Sequence, residues 1–317
     1  MPKQNDVIRV GSRASRLALT QAKTYLARLK ESAPDLEFEI IEIQTSGDRF
    51  GQMSPEKLLQ TAGKGIFVKE LEEAILEGRV DLAIHSLKDV PGELPKGLIL
   101  AGYQEREDPR DAWVSRGGLG PDEIADGAVI GTSSPRRRFQ LLELFRSKGK
   151  AVSIVPLRGN VDTRLRKAKE GALAATVLSL AGLRRLGLDK EASYIFDPIF
   201  EMTPPCGQGT LAAEIRGDRS DLFELLSLAE DRSTRLASEL ERLTLRLMGG
   251  GCLTALGIYA RPLGDAQDGE ETALDLSVYQ HDGISELSAG LRSSWKISSQ
   301  NSDQLLDKIL SKGAEKG

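Results

Sequence analysis

Three stretches of this 317-residue chain place reactive side chains where chemistry could happen. In VDLAIHSLKDVP (80–91), an apolar strand pattern stops at His85, Ser86, Lys88 and Asp89. At the carboxyl end of a strand in an open α/β sheet, such groups face the ligand crevice. A carboxylate there can move a proton or stabilise a cationic intermediate. The plainer reading is a polar strand exit with a Lys88–Asp89 surface pair. In IGTSSPRRR (130–138), a strand enters a Thr-Ser-Ser turn, and Pro135 suits a first helical position. A helix N-terminus offers free N–H groups and a positive dipole end. Arg136, Arg137 and Arg138 oppose that dipole, at a cost of up to about 1 kcal/mol. A bound anion offsets the cost, and arginine suits bidentate recognition of carboxylate or phosphate. GSRASRLAL (11–19) and LRGNVDTRL (157–165) repeat the strand–helix junction with Arg13, Arg158 and Arg164. Three such junctions imply a ligand with several negative groups. The third stretch, GGGCLTALG (249–257), mounts Cys252 on a glycine hinge, as a small buried hydrophobe, a nucleophile or an attachment point.

Other chemistries fit poorly. The two histidines, His85 and His281, share no metal-ligand spacing with Cys206 or Cys252, so no metal is expected. There is no GxSxG, and AGKGIF (62–67) lacks the hydroxyl after Lys64 that a Walker A loop needs. GQGTLA (207–212) matches a dinucleotide fingerprint but follows Pro-Pro-Cys and opens a strand-like run. The net charge of −4 hides a basic block: residues 131–169 carry eleven Lys/Arg against two acids. With aromatics at 5% and no recognised binding motif, nucleic acid is disfavoured. The N-terminus shows no apolar signal core, and no apolar run reaches membrane-span length, so a cytoplasmic protein is expected.

The elements that must position these groups alternate. Val7–Gly11, Leu36–Gln44, Val80–Ile84 and Leu98–Tyr103 read as strands. Helices are expected from Ser15 to about Lys30 and over Phe67–Glu77. A second α/β unit holds strands Ala128–Gly131, Val152–Val155 and Leu173–Leu178, with helices after Ser134 and Asn160. This rhythm predicts mostly parallel, helix-covered sheets. Asp221–Leu247 reads as one long helix with Leu236, Leu240, Leu243 and Leu247 on its core face. Gly249–Gly251 stops it. Strands at Ala255–Ala260 and Ala273–Tyr279 and a helix around Ser302–Leu310 complete a small α+β domain.

Taken in order, GSRASRLALTQA, GKGIFVKELEEAIL, DLAIHSLKDVP, EREDPRDAWVS, GTSSPRRR, LRGNVDTRL, AGLRRLGL, GQGTLAAE and the Gly-Gly-Cys turn resemble the porphobilinogen deaminase (hydroxymethylbilane synthase) family. The resemblance runs from about residue 7 to 262. It implies an α/β fold of three domains, the first two like type II periplasmic binding proteins. Domain 1 would comprise residues 1–104 plus 203–220, domain 2 residues 105–202, and domain 3, small and α+β, residues 221–317. It implies a transferase of tetrapyrrole (haem) biosynthesis that joins four porphobilinogen molecules head to tail, releasing ammonia at each step. The cofactor would be a dipyrromethane, thioether-linked to Cys252. Asp89 would be catalytic. Lys88, Thr132, Ser134, Arg136 and Arg137 would hold the cofactor. Arg13, Ser15, Gln21, Arg158, Arg164, Arg185 and Gln208 would hold substrate. A monomer with no nucleic-acid or membrane partner is implied.

Physical chemistry agrees with that assignment. Each porphobilinogen carries an acetate and a propionate, so a growing chain is the polyanion that the arginines call for. Loss of ammonia leaves an electrophilic azafulvene whose pyrrole nitrogen gains positive charge, which a nearby carboxylate stabilises. The chain departs from the family after the cysteine, where Leu253 and Ala255 replace a Gln and a Pro. It also departs at Thr20 (usually Trp), Gln60 (often Lys) and Cys206 in the turn before GQG. The alternative is a non-catalytic binder of small anions on the same scaffold; it leaves Asp89 and Cys252 unexplained.

Overall fold

The computed structural model describes residues 7–45, 68–171, 173–249, 255–263, 274–283 and 290–297. In chain order the first elements are β1 (Val7–Arg13), α1 (Arg16–Ser32), β2 (Glu37–Ile43), α2 (Lys69–Leu76), β3 (Leu82–Ser86) and β4 (Leu98–Ala101). Next come β5 (Asp111–Ser115), β6 (Ala128–Gly131), α3 (Pro135–Ser147), β7 (Val152–Val155), α4 (Val161–Glu170), β8 (Ala175–Ser179), α5 (Leu180–Arg185) and β9 (Tyr194–Ile195). The last are β10 (Leu211–Arg216), α6 (Ser220–Ser227), α7 (Arg232–Leu247), β11 (Ala255–Pro262), β12 (Leu274–His281) and β13 (Leu291–Ile297). The expected helix at 302–310 lies outside the described residues.

The chain is mixed α/β and forms two compact units, residues 1–107 with 209–236 and residues 108–208 with 237–317. The first unit is built on a sheet in the order β2-β1-β3-β10-β4. Strand β1 runs parallel to β2 and β3, whereas β10 is antiparallel to both β3 and β4. The second unit carries the matching order β7-β6-β8-β5-β9, with β6 parallel to β7 and β8, and β5 antiparallel to its neighbours. The sheets are therefore less parallel than the strand–helix rhythm predicts. Each parallel trio is extended by two more strands, β10 and β4 in the first unit and β5 and β9 in the second, and the one beside the trio pairs antiparallel with a strand distant in sequence, which alternation within a window does not report. A three-stranded antiparallel sheet, β11-β12-β13, completes the second unit.

Two further differences have identifiable causes. The long helix expected over Asp221–Leu247 is two helices, α6 and α7. Between them, the Asp231 N–H donates to the Tyr103 carbonyl (2.7 Å), and the Glu230 carboxylate accepts the Gly102 N–H (3.1 Å). The Asp231 carboxylate then accepts the Thr234 N–H at 2.7 Å and restarts the helix as a cap. Residues 221–236, expected in domain 3, also pack with the first unit. Leu222, Leu225 and Leu226 of α6 share a core with Tyr25 and Leu29 of α1 and Ile215 of β10. Among the described residues, no helix is long and apolar enough to cross a membrane.

Gly209 fixes one entry into β10. Its φ of +95° is a left-handed value, and a Cβ there would collide with the Glu107 carbonyl oxygen. We therefore expect Gly209→Ala to lose roughly 1–3 kcal/mol of stability, read as a lowered urea midpoint. An unchanged midpoint would contradict this backbone geometry.

Candidate active site

In the first unit, β1 and β3 are parallel neighbours in register, Val10 opposite Leu82 and Gly11 opposite Ala83. Their carboxyl ends therefore lie side by side. Any side chain on Gly11 would press on Leu71 (3.0 Å) and Val80 (3.2 Å), so the strand can pack closely only as glycine. β1 ends at Arg13, and Ser15 caps α1 by accepting the Ala18 N–H at 3.3 Å. Gln21 is buried one turn further along α1. β3 runs into a single 3-10 turn, Leu87–Asp89, which exposes Lys88 and Asp89 in part. The turn is tied to β10 by the Leu87 N–H, which donates to the Thr210 carbonyl at 3.0 Å.

Asp89 faces Arg13, with Oδ2 4.0 Å from Nη1. A partly exposed pair at that separation is worth about 0–1 kcal/mol. A ligand can therefore draw Asp89 out of this pair at little cost. This differs from the plain reading of Asp89 as the surface partner of Lys88. Behind the turn, His85 Nε2 lies 2.9 Å from the buried Glu214 carboxylate of β10. Glu72 of α2 is buried nearby, and burial together with the Glu214 charge pushes its carboxyl up to about 7.

In the second unit, β6, β7 and β8 bring their carboxyl ends to one edge. Beyond β6, the Thr132 N–H donates to the Val155 carbonyl (2.9 Å), and Thr132 Oγ1 accepts the Ser134 N–H (3.2 Å). Ser134 caps α3, with Oγ accepting the Arg137 N–H at 3.4 Å. Pro135 takes the first helical position as expected. Beyond β7, Asn160 caps α4, Arg158 is exposed, and Arg164 Nε donates to the Gly159 carbonyl at 2.8 Å. Arg185 ends α5 half-buried, and Gln208 is fully buried.

Arg136 and Arg137 are only 4% and 7% exposed. Their common partner is Asp111, the first residue of β5. Its Oδ2 accepts Arg136 Nη2 at 2.7 Å, and its Oδ1 accepts Arg137 Nη2 at 2.7 Å and Nε at 3.2 Å. Gln208 Nε2 donates to the same Oδ1 at 3.1 Å. Burial pushes the Asp111 carboxyl up, but the two guanidiniums overcome it and hold it well below the usual carboxylate range. An internal anion thus answers the dipole-opposing arginines, whereas the sequence alone pointed to an external one. The readable signal was an acid opening the apolar strand DAWVS, but nothing in the spacing joined it to residues 25 positions away.

The residues thus form two groups, each on its own unit: Arg13, Ser15, Lys88 and Asp89 on the first, and Thr132, Ser134, Arg136, Arg137 and Gln208 on the second. Cys252 lies outside the described residues. Cys206 is buried and takes part in no disulfide.

The profile described as "Porphobilinogen deaminase, dipyromethane cofactor binding domain" matches residues 8–224. A "Porphobilinogen deaminase" of Chromobacterium violaceum is 46% identical over 255 residues, covering 80% of each chain. One of Syntrophus aciditrophicus is 44% identical over 258 residues, covering 81% of this chain and 82% of its own. Among solved structures, the methionine-binding protein MetQ superposes with a TM-score of 0.44 at 15% identity, covering 70% of this chain and 89% of its own. The profile and the two relatives agree over most of the sequence: the chain belongs to the porphobilinogen deaminase family.

Proposed function

We infer that this chain joins four porphobilinogen molecules head to tail into hydroxymethylbilane, releasing one ammonia per step. One observation carries the chemical reading: a carboxylate, Asp89, stands 4.0 Å from a guanidinium, Arg13, at the carboxyl edge of β1 and β3. That pair joins an acceptor for a pyrrole N–H to a donor for a pyrrole carboxylate. The donor set also suits a dipyrromethane, which presents four carboxylates and two pyrrole N–H groups. Among its candidate ligands are the capped N-terminus of α3, Lys88, and two guanidiniums opposed by a single internal carboxylate. When bound, the dipyrromethane supplies the nucleophilic pyrrole carbon on which the chain is built.

The residue roles are those the family resemblance implies, and the donor and acceptor chemistry above supports them. Lys88, Thr132, Ser134, Arg136 and Arg137 bind the cofactor's carboxylates, and Cys252 carries its thioether. Arg13, Ser15, Arg158 and Arg164 orient the acetate and propionate of incoming substrate, with Gln21, Arg185 and Gln208 in support. As the substrate's C–N bond breaks, the pyrrole nitrogen gains positive charge and ammonia leaves. Asp89 accepts that pyrrole N–H, so the charge develops beside a fixed carboxylate. The carbon that lost ammonia would then bond to the nucleophilic pyrrole carbon, whose own proton would leave, so that each step exchanges one C–N bond for one C–C bond. We place the protein in the cytoplasm as a monomer with no nucleic-acid or membrane partner.

Incubation with porphobilinogen tests the reading. Four ammonia molecules should appear per linear tetrapyrrole released. Saturable binding without ammonia would favour the anion-binding alternative and contradict this function.

A further inference from the structure

The arginines at the start of α3 are held by the protein's own groups. Asp111 grips both guanidiniums, and each is also fixed by a backbone carbonyl: Arg136 Nη1 donates to Thr203 (2.7 Å) and Arg137 Nη1 to Val177 (2.9 Å). Gln208 Nε2 spans Asp111 and the Pro109 carbonyl (2.6 Å). Thr203 is itself pinned. Its N–H donates to Gln140 Oε1 at 2.8 Å, and its carbonyl accepts Gln140 Nε2 at 3.1 Å. Asp111, Gln140 and Gln208 are all fully buried, so the array sits in a dry interior, where charges couple strongly and side chains have few alternative rotamers. A charged array that only stabilised the fold would be poorly chosen, because apolar residues of similar volume serve as well or better. What this one adds is the fixed orientation of two planar forks, together with a net charge of +1.

We propose that Asp111 is a positioning residue for the dipyrromethane: it sets the orientation of Arg136 and Arg137, and the place of Gln208, so that the cofactor's carboxylates meet a preformed site. The inference rests on the reading of Arg136 and Arg137 as cofactor ligands. Asp111 itself touches neither cofactor nor substrate. Its effect is geometric, and misplacing binding groups by an ångström is enough to cost about a hundredfold in a reaction that depends on them.

The test uses full-length protein expressed in a host that cannot make porphobilinogen, so that it is isolated without cofactor. Porphobilinogen is added, and the fraction carrying a covalent dipyrrole is followed by intact mass, at a temperature where circular dichroism shows every sample folded. Asp111→Asn keeps the shape and removes the charge. It should load at least tenfold more slowly than wild type. Loading at the wild-type rate, even with a lowered melting temperature, would make Asp111 merely structural and overturn the proposal. Failure of wild type to gain mass at all would instead overturn the reading on which the proposal rests. If Asp111→Asn does not fold, the wild type still decides. In unloaded protein, phenylglyoxal should modify Arg136 and Arg137 at least tenfold more slowly than the exposed Arg158. Equal reactivity before loading, with protection only afterwards, would show that no preformed array exists.

Discussion

Asp89→Asn is expected to lower turnover by about 100- to 1,000-fold and leave the fold intact. The size follows from what a preorganised charge opposite a developing charge is commonly worth. The substrate's pyrrole nitrogen becomes cationic as ammonia departs, and in the proposed reading Asp89, on the turn after β3, is the carboxylate that opposes it. An amide keeps the volume but supplies no charge, and it can turn a donor toward the N–H it should accept. The fold should tolerate the change because the partner lost, Arg13, lies 4.0 Å away in a partly exposed pair worth little to stability. The turn bearing Asp89 is held by backbone hydrogen bonds, Leu87 N–H to Thr210 and Val90 N–H to Leu87, which the substitution does not touch. Turnover within twofold of wild type would remove Asp89 from the chemistry.

The second large effect concerns stability. Burial, reinforced by the charge of Glu214, raises the Glu72 carboxyl from 4.5 to about 7, with His85 partly offsetting the shift. Between those values the native state holds a proton that the unfolded chain releases. Stability should therefore fall as pH rises. The penalty is absent below about pH 4.5, grows through the interval and is complete above about pH 7, where it amounts to roughly 3 kcal/mol. Glu72→Gln mimics the protonated form at every pH. We expect the variant to match wild type near pH 4.5 and to exceed it by up to about 3 kcal/mol at pH 8, measured by urea unfolding of the first unit. An identical pH dependence in the two proteins would show that Glu72 ionises in the native state as it does in water.

Much of the candidate site was legible because its logic is local. Ser15 and Ser134 marked helix starts, and both accept the N–H three residues on. Val80–Ile84 read as a strand ending in charged residues, and β3 delivers Lys88 and Asp89 on the turn that follows. What stayed hidden depends on partners far apart in sequence. Asp111 meets Arg136 and Arg137 only because β5 is added to the edge of the parallel trio that presents α3. His85 meets Glu214 only because β10 pairs antiparallel to β3, with Ala212 opposite His85. The break between α6 and α7 was hidden for the same reason. The leucine spacing runs through it, and the hydrogen bonds that cause it reach back to the segment after β4. Composition and periodicity report the face a residue shows, whereas these contacts depend on which strand lies alongside.

The most direct test of the account is the intact mass of the purified full-length protein, with peptide mapping, from a host that makes porphobilinogen. The account predicts a mass excess of one dipyrrole on wild type, located on the peptide containing Cys252, absent from Cys252→Ser, with the buried Cys206 unmodified. An active wild-type protein with an unmodified Cys252 would contradict it.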